Sequence, residues 1–178
     1  MSEDEVMAAV ERLGPCKMVE ITGGEPMLQE REVVPLMRRL LDDGYTVLLE
    51  TSGERPLGAV PAEVHKIVDV KCPGSGEGGT FRMENLQALT NEDELKFVIR
   101  DRVDYEFARD FVREHGLESK VKEILLSPAF RTDSHGRTAE NMEIDPRLLV
   151  DWMLEDGLSA RLGLQIHKFV WEPQTKGV

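Results

Sequence analysis

Short apolar runs alternate with longer amphipathic ones along this chain. Met18 to Thr22, Thr46 to Thr51, Ile67 to Val70, Glu94 to Ile99, Ile124 to Ser127 and Leu162 to His167 are predicted strands. Glu3 to Leu13, Glu30 to Leu41, Tyr105 to His115 and Asp145 to Glu155 carry apolar residues at helical spacing. Asp145-Pro146 supplies an acidic cap and a proline at the first helical position, and Gly44, Gly116 and Gly157 stand where helices stop. Strand and helix in repetition build a parallel sheet, here in a single domain over 1–178. Pro73 to Thr80 is a Gly-rich loop and Arg131 to Asn141 a polar one.

Residue parity within the strands adds a constraint. Val19 and Ile21 oppose Glu20 and Thr22; Val47 and Leu49 oppose Leu48, Glu50 and Ser52; Val68 and Val70 oppose Asp69 and Lys71; Leu95, Phe97 and Ile99 oppose Lys96 and Val98. In the last run Leu162, Leu164 and Ile166 oppose Gln165 and His167. A parallel strand covered on both sides is apolar on both faces. One apolar and one mixed face fit either a barrel lumen that holds a polar ligand or edge strands with one wet face. An open sheet and a partial α/β barrel are both compatible with the strand number.

The 178 residues include 34 acidic and 22 basic side chains, a net charge of −12. Such acidity argues against a nucleic-acid partner, which clustered Lys and Arg would bind. No apolar stretch approaches the roughly 20 residues of a membrane span, and Ser2 to Glu5 is too acidic for a targeting peptide. Only Cys16 and Cys72 are present, which suits a reduced, cytoplasmic setting. Met7, Met18, Met27 and Met37 are expected in the core, and His65, His115 and His135 at the surface.

Directly after the first predicted strand comes Thr22-Gly23-Gly24-Glu25-Pro26. Paired glycines let a backbone approach a ligand closely, and a neighbouring carboxylate can pair with an ammonium group. A plain strand-to-helix turn is the alternative. Likewise Ser52-Gly53 can be a simple turn, Asp69 and Lys71 an ion pair of little energetic weight, and His167 a core histidine.

Ile21 to Pro26 followed by Leu28-Gln29 resembles the GGEP motif of radical S-adenosylmethionine enzymes. More narrowly, Glu50-Thr51-Ser52-Gly53, then Asp69 through Glu77, then Leu164-Gln165-Ile166-His167-Lys168 through Trp171 to Val178, resemble the 7-carboxy-7-deazaguanine synthase family. The motifs stand in the right order over nearly the whole chain, which argues against a glycyl-radical activase. The resemblance implies a partial parallel (β/α) barrel of the radical S-adenosylmethionine type. It also implies ring contraction of 6-carboxy-5,6,7,8-tetrahydropterin, on the route to queuosine and related deazapurines, by a deoxyadenosyl radical formed at a 4Fe-4S cluster, with magnesium assisting. Gly23, Gly24, Glu25, Ser52, Asp69, Val70, Lys71 and Ser127 then correspond to S-adenosylmethionine contacts, Gly24 and Glu25 at its methionine end. Thr22, Glu50, Gln165, His167 and the terminal carboxylate of Val178 correspond to substrate contacts.

The sequence departs from the family in lacking its CxxxCxxC loop, and Cys16 and Cys72 are too few and in the wrong contexts to replace it. The expectation is an N-terminally incomplete chain, without the first strand, the cluster loop and the magnesium ligand, and unable to turn over alone. A non-catalytic protein that binds a pterin, a purine or a partner chain is the alternative. A strand left with a bare edge further predicts either a homodimer, with Trp152, Phe169 and Trp171 as candidate anchors, or a poorly ordered amino-terminal helix.

Overall fold

A computed structural model describes residues 1–131 and 142–171. Helix α1 (Glu3–Arg12) starts on a capping box in which Ser2 and Glu5 satisfy each other's backbone N–H groups. Strand β1 (Met18–Ile21) follows, then a 3-10 turn at Pro26–Gln29 that leads into α2 (Glu30–Asp42). Next come β2 (Thr46–Thr51), β3 (His65–Asp69) and β4 (Glu94–Ile99). Helix α3 (Arg102–Glu114) is capped by the Asp101 carboxylate, and β5 (Glu123–Pro128) succeeds it. Helix α4 (Pro146–Glu155) begins on the Asp145 cap with proline in the first turn, as its sequence predicts. A two-residue β6 (Arg161–Leu162) and the short α5 (His167–Val170) complete the described elements.

All six strands are parallel and lie in the order β1-β2-β3-β4-β5-β6. Right-handed crossovers that always step the same way put every covering segment on one face of the sheet. A doubly wound sheet reverses direction instead and has helices on both. The result is a partial (β/α) barrel. Val47, Leu49, Val68, Leu95, Phe97, Ile99, Ile124 and Leu126 point under the helices and are buried. Residues of the other parity, among them Leu48, Glu50, Ile67, Asp69, Lys96 and Val98, are half-buried on the inner face.

Two sequence expectations need correction here. The run Leu162 to His167 is not one strand: pairing with β5 stops at Leu162, and His167 opens α5. Gly163 fits against Ser127, whose Oγ would stand 2.7 Å from an added Cβ, and the chain then turns through Leu164 and Ile166. Met18 is not core but 59% exposed, because it starts the strand at the edge of the sheet. Helix α1 packs on the fold through buried Met7, and Arg39 of α2 pairs with its Glu3 and Asp4. The aromatic residues considered for an interface are partly used internally: Trp152 packs on Tyr105 and Arg102, and Phe169 on Phe130.

The helix-facing side of β3 carries one charge that alternation alone would not place there. Lys66 is 2% exposed and its ammonium lies 3.1 Å from the fully buried Asp93. Asp93 also accepts the Lys66 and Thr90 backbone N–H groups, both at 2.7 Å, so neither buried charge is left alone.

Candidate functional site at the carboxyl ends of the strands

In parallel α/β sheets the loops after the strands form the ligand-binding end. After β1, Gly23 and Gly24 have φ of +94° and +59°, a region closed to most residues, and nothing lies within 4 Å of where a Cβ would stand on either. The two residues form an open backbone cradle. Glu25 holds its shape. One carboxylate oxygen accepts the Thr51 hydroxyl at 2.7 Å and the Met27 N–H at 3.0 Å. The other accepts the Ser52 N–H at 2.8 Å and its hydroxyl at 2.7 Å. Burial acts to raise the Glu25 pKa, but the bonds from Ser52, Thr51 and Met27 outweigh it and hold the carboxyl below its ordinary range.

This cradle opens on a cleft of about 230 Å³ lined by Thr22, Gly23, Gly24, Glu50, Thr51, Ser52, Asp69 and Lys71. Lys71 Nζ is 2.6 Å from Asp69 Oδ2, while Asp69 Oδ1 is buried with no hydrogen-bond partner. A buried acceptor of this kind calls for a donor from a ligand.

Beside it lies a chamber of about 370 Å³ whose lining includes Glu20, Glu50, Ile67, Lys96, Ser127 and Gln165. Glu50 borders both spaces. Its Oε1 is 2.8 Å from Lys96 Nζ and its Oε2 accepts the Thr22 hydroxyl at 3.4 Å. Glu20 is pushed above the ordinary carboxylate range, first by loss of water and then by Glu50, against an opposing pull from Lys96. A larger surface hollow, about 580 Å³ at Arg38, Leu41, Asp42, Pro61 and Glu63, lies at the amino ends of β2 and β3 and has no such convergence of loops.

The structure brings Thr22, Gly23, Gly24, Glu50, Ser52, Asp69 and Lys71 into one cleft. Ser127 is in the adjoining chamber with Gln165 instead. Val70 is 1% exposed in the helix-facing core, so only its backbone faces the sheet's end. His167 begins α5, and Val178 and His135 lie outside the described residues. Sequence reasoning had no role for Lys96 or Glu20. The signal was present, since both share strand parity with Glu50 and Asp69 on the mixed face.

Cofactor fit divides. The open glycine cradle and the unpartnered Asp69 oxygen suit a ligand with polar main-chain and hydroxyl groups, such as S-adenosylmethionine. An iron–sulfur cluster does not fit these residues. Cys16 is exposed at the amino end of β1, whereas Cys72 is buried after β3, its thiol pushed up by desolvation and then by Asp104 and Asp69. Among the described residues no group of three or more His, Cys, Asp or Glu could hold a metal, and no helix is long and apolar enough to cross a membrane.

No family model matches the chain. It is similar to the 7-carboxy-7-deazaguanine synthase of Koribacter versatilis, 65% identical over 179 residues, which cover 100% of this chain and 79% of that protein. The protein of the same name from Chlorobaculum tepidum is 37% identical over 182 residues, with 100% and 76% covered. Among solved structures, QueE from Escherichia coli superposes with a TM-score of 0.68 at 24% identity, over 93% of this chain and 64% of that one.

Proposed function

The chain belongs to the 7-carboxy-7-deazaguanine synthase family, and we propose that its own share of that reaction is to hold S-adenosylmethionine and a carboxytetrahydropterin side by side at the strand ends. S-adenosylmethionine, when bound, supplies the group that removes a hydrogen from the pterin. Gly23 and Gly24 offer main-chain groups to its methionine end. The Glu25 carboxylate is fully engaged with Ser52, Thr51 and Met27, so its task is to fix the cradle. Asp69 Oδ1 accepts from the nucleoside, and Lys71 neutralises the other Asp69 oxygen.

Glu50 accepts hydrogen bonds from the donor edge of the pterin, with Gln165 across the chamber. The observation that carries this reading is Glu50's place on the wall of both spaces, which sets a ligand in one against a ligand in the other. For a cluster or a magnesium ion the described residues supply no ligand set.

Calorimetry with S-adenosylhomocysteine and 6-carboxypterin tests the assignment. Both should bind together, and Glu50→Gln should lose the pterin and retain the nucleoside. Competition between the two ligands would overturn it. We further propose a cytoplasmic homodimer in which a second copy covers the outer edge of β1. Light scattering that gives a monomer would exclude it.

A further inference from the structure

We propose that Lys96 is a positioning residue for Glu50, turning that carboxylate's free lone pairs toward the chamber so that it receives a ligand edge with two adjacent N–H donors. The inference rests on the pterin reading above and goes beyond it. Lys96 is on β4 and Glu50 on β2, with β3 between them. The nearest carboxylate along the sheet is Asp69, paired in register with Lys96 itself. The Lys96 ammonium nevertheless passes Asp69, which is taken by Lys71 at 2.6 Å, and reaches Glu50 Oε1 at 2.8 Å. Thr22 holds the other Glu50 oxygen from the opposite side at 3.4 Å. Each oxygen then keeps acceptor capacity for one further donor.

Charge in the chamber points the same way. Glu20 faces it from β1, Glu50 from β2 and Glu94 from β4, while Asp69 and Lys71 line the adjoining cleft; Leu125 and Ser127 of β5 and the 163–166 segment line the chamber without charge. Among the described residues Lys96 is the one cation on the chamber wall. Burial opposes its charge most strongly, yet the Glu50 hydrogen bond and the fields of Glu50, Asp69 and Glu20 prevail and raise its pKa. Without it, Glu20 and Glu50 face each other with no cation between them, which favours uptake of a proton, and a protonated carboxyl offers an O–H where the ligand needs a lone pair.

The test compares wild type, Lys96→Met and Lys96→Arg by calorimetry with 6-carboxypterin between about pH 5.5 and pH 7.5, with S-adenosylhomocysteine as the second probe. Wild-type pterin affinity should stay flat. In the Met variant it should be about tenfold weaker at the acid end and recover as pH rises, whereas Arg should restore it to within about threefold. Affinity for S-adenosylhomocysteine should hold to within about twofold throughout. A Met variant that follows the wild-type profile, loses affinity equally at every pH, or also loses the nucleoside overturns the proposal. Should wild type bind no 6-carboxypterin, the pterin reading fails by itself, and Lys96 is judged by carboxyl carbon NMR. There the Met variant must move the Glu20 titration further upward, because Lys96 holds it down, and an unchanged titration overturns the proposal.

Discussion

Glu25 accepts two hydrogen bonds from Ser52, one from its N–H at 2.8 Å and one from its hydroxyl at 2.7 Å. That pairing ties the loop after β1 to the loop after β2. The glycine cradle owes its shape to a carboxylate that is itself unavailable to a ligand.

Replacing Glu25 by Ala leaves the Ser52, Thr51 and Met27 donors without their shared acceptor. The expected cost is about 2–3 kcal/mol in urea denaturation, together with loss of nucleoside affinity. The folded pKa of Glu25 is lowered from its ordinary 4.5. Its contribution is therefore complete above that value and vanishes as pH falls through the lower folded one. Wild type should lose stability in that acid window more steeply than Glu25→Ala; parallel curves would contradict the linkage.

Gly24→Val should abolish S-adenosylhomocysteine binding, because a side chain would occupy the empty cradle at a φ of +59°. Strain there adds about 1–2 kcal/mol to the loss of stability. Retained affinity would remove the cradle from the binding site.

Asp93→Ala should be a severe lesion despite lying away from the site. It strands the buried Lys66 ammonium and frees backbone N–H groups of Lys66 and Thr90. Broken buried pairs cost about 3–5 kcal/mol. The midpoint of chemical unfolding reads this directly, and a shift within error would refute it.

Thiol chemistry should separate the two cysteines. Cys16 is exposed and should react with a disulfide reagent at once, while Cys72 reacts only on unfolding. Anaerobic treatment of this 178-residue chain with iron and sulfide should give no cluster absorbance. A stable brown product would show that these two thiols suffice.

Much of this was legible locally. Asp145-Pro146 marks the start of α4, and Gly44, Gly116 and Gly157 follow α2, α3 and α4 with positive φ. The alternation in β2 and β4 gives the buried face correctly, since period-two patterning and the pleat obey one geometry. The last run reads as a longer strand than it forms because Leu162, Leu164 and Ile166 alternate without a partner beyond Leu162, and pairing is a property of two segments. Lys66 was equally opaque, for its counter-ion lies 27 residues further along.

By itself the sequence determined the first five strands, the four longer helices, the sidedness of the strands and the motifs that identify the family, since these depend on neighbours a few residues apart. Only the tertiary structure decided that Glu25 braces the cradle, that Ser127 joins Gln165 and not Asp69, and that Lys96 pairs with Glu50 and not with its nearer carboxylate. Those outcomes depend on which charges and donors from separate strands come within hydrogen-bonding distance. Register and crossover fix that separation, and no local pattern encodes it.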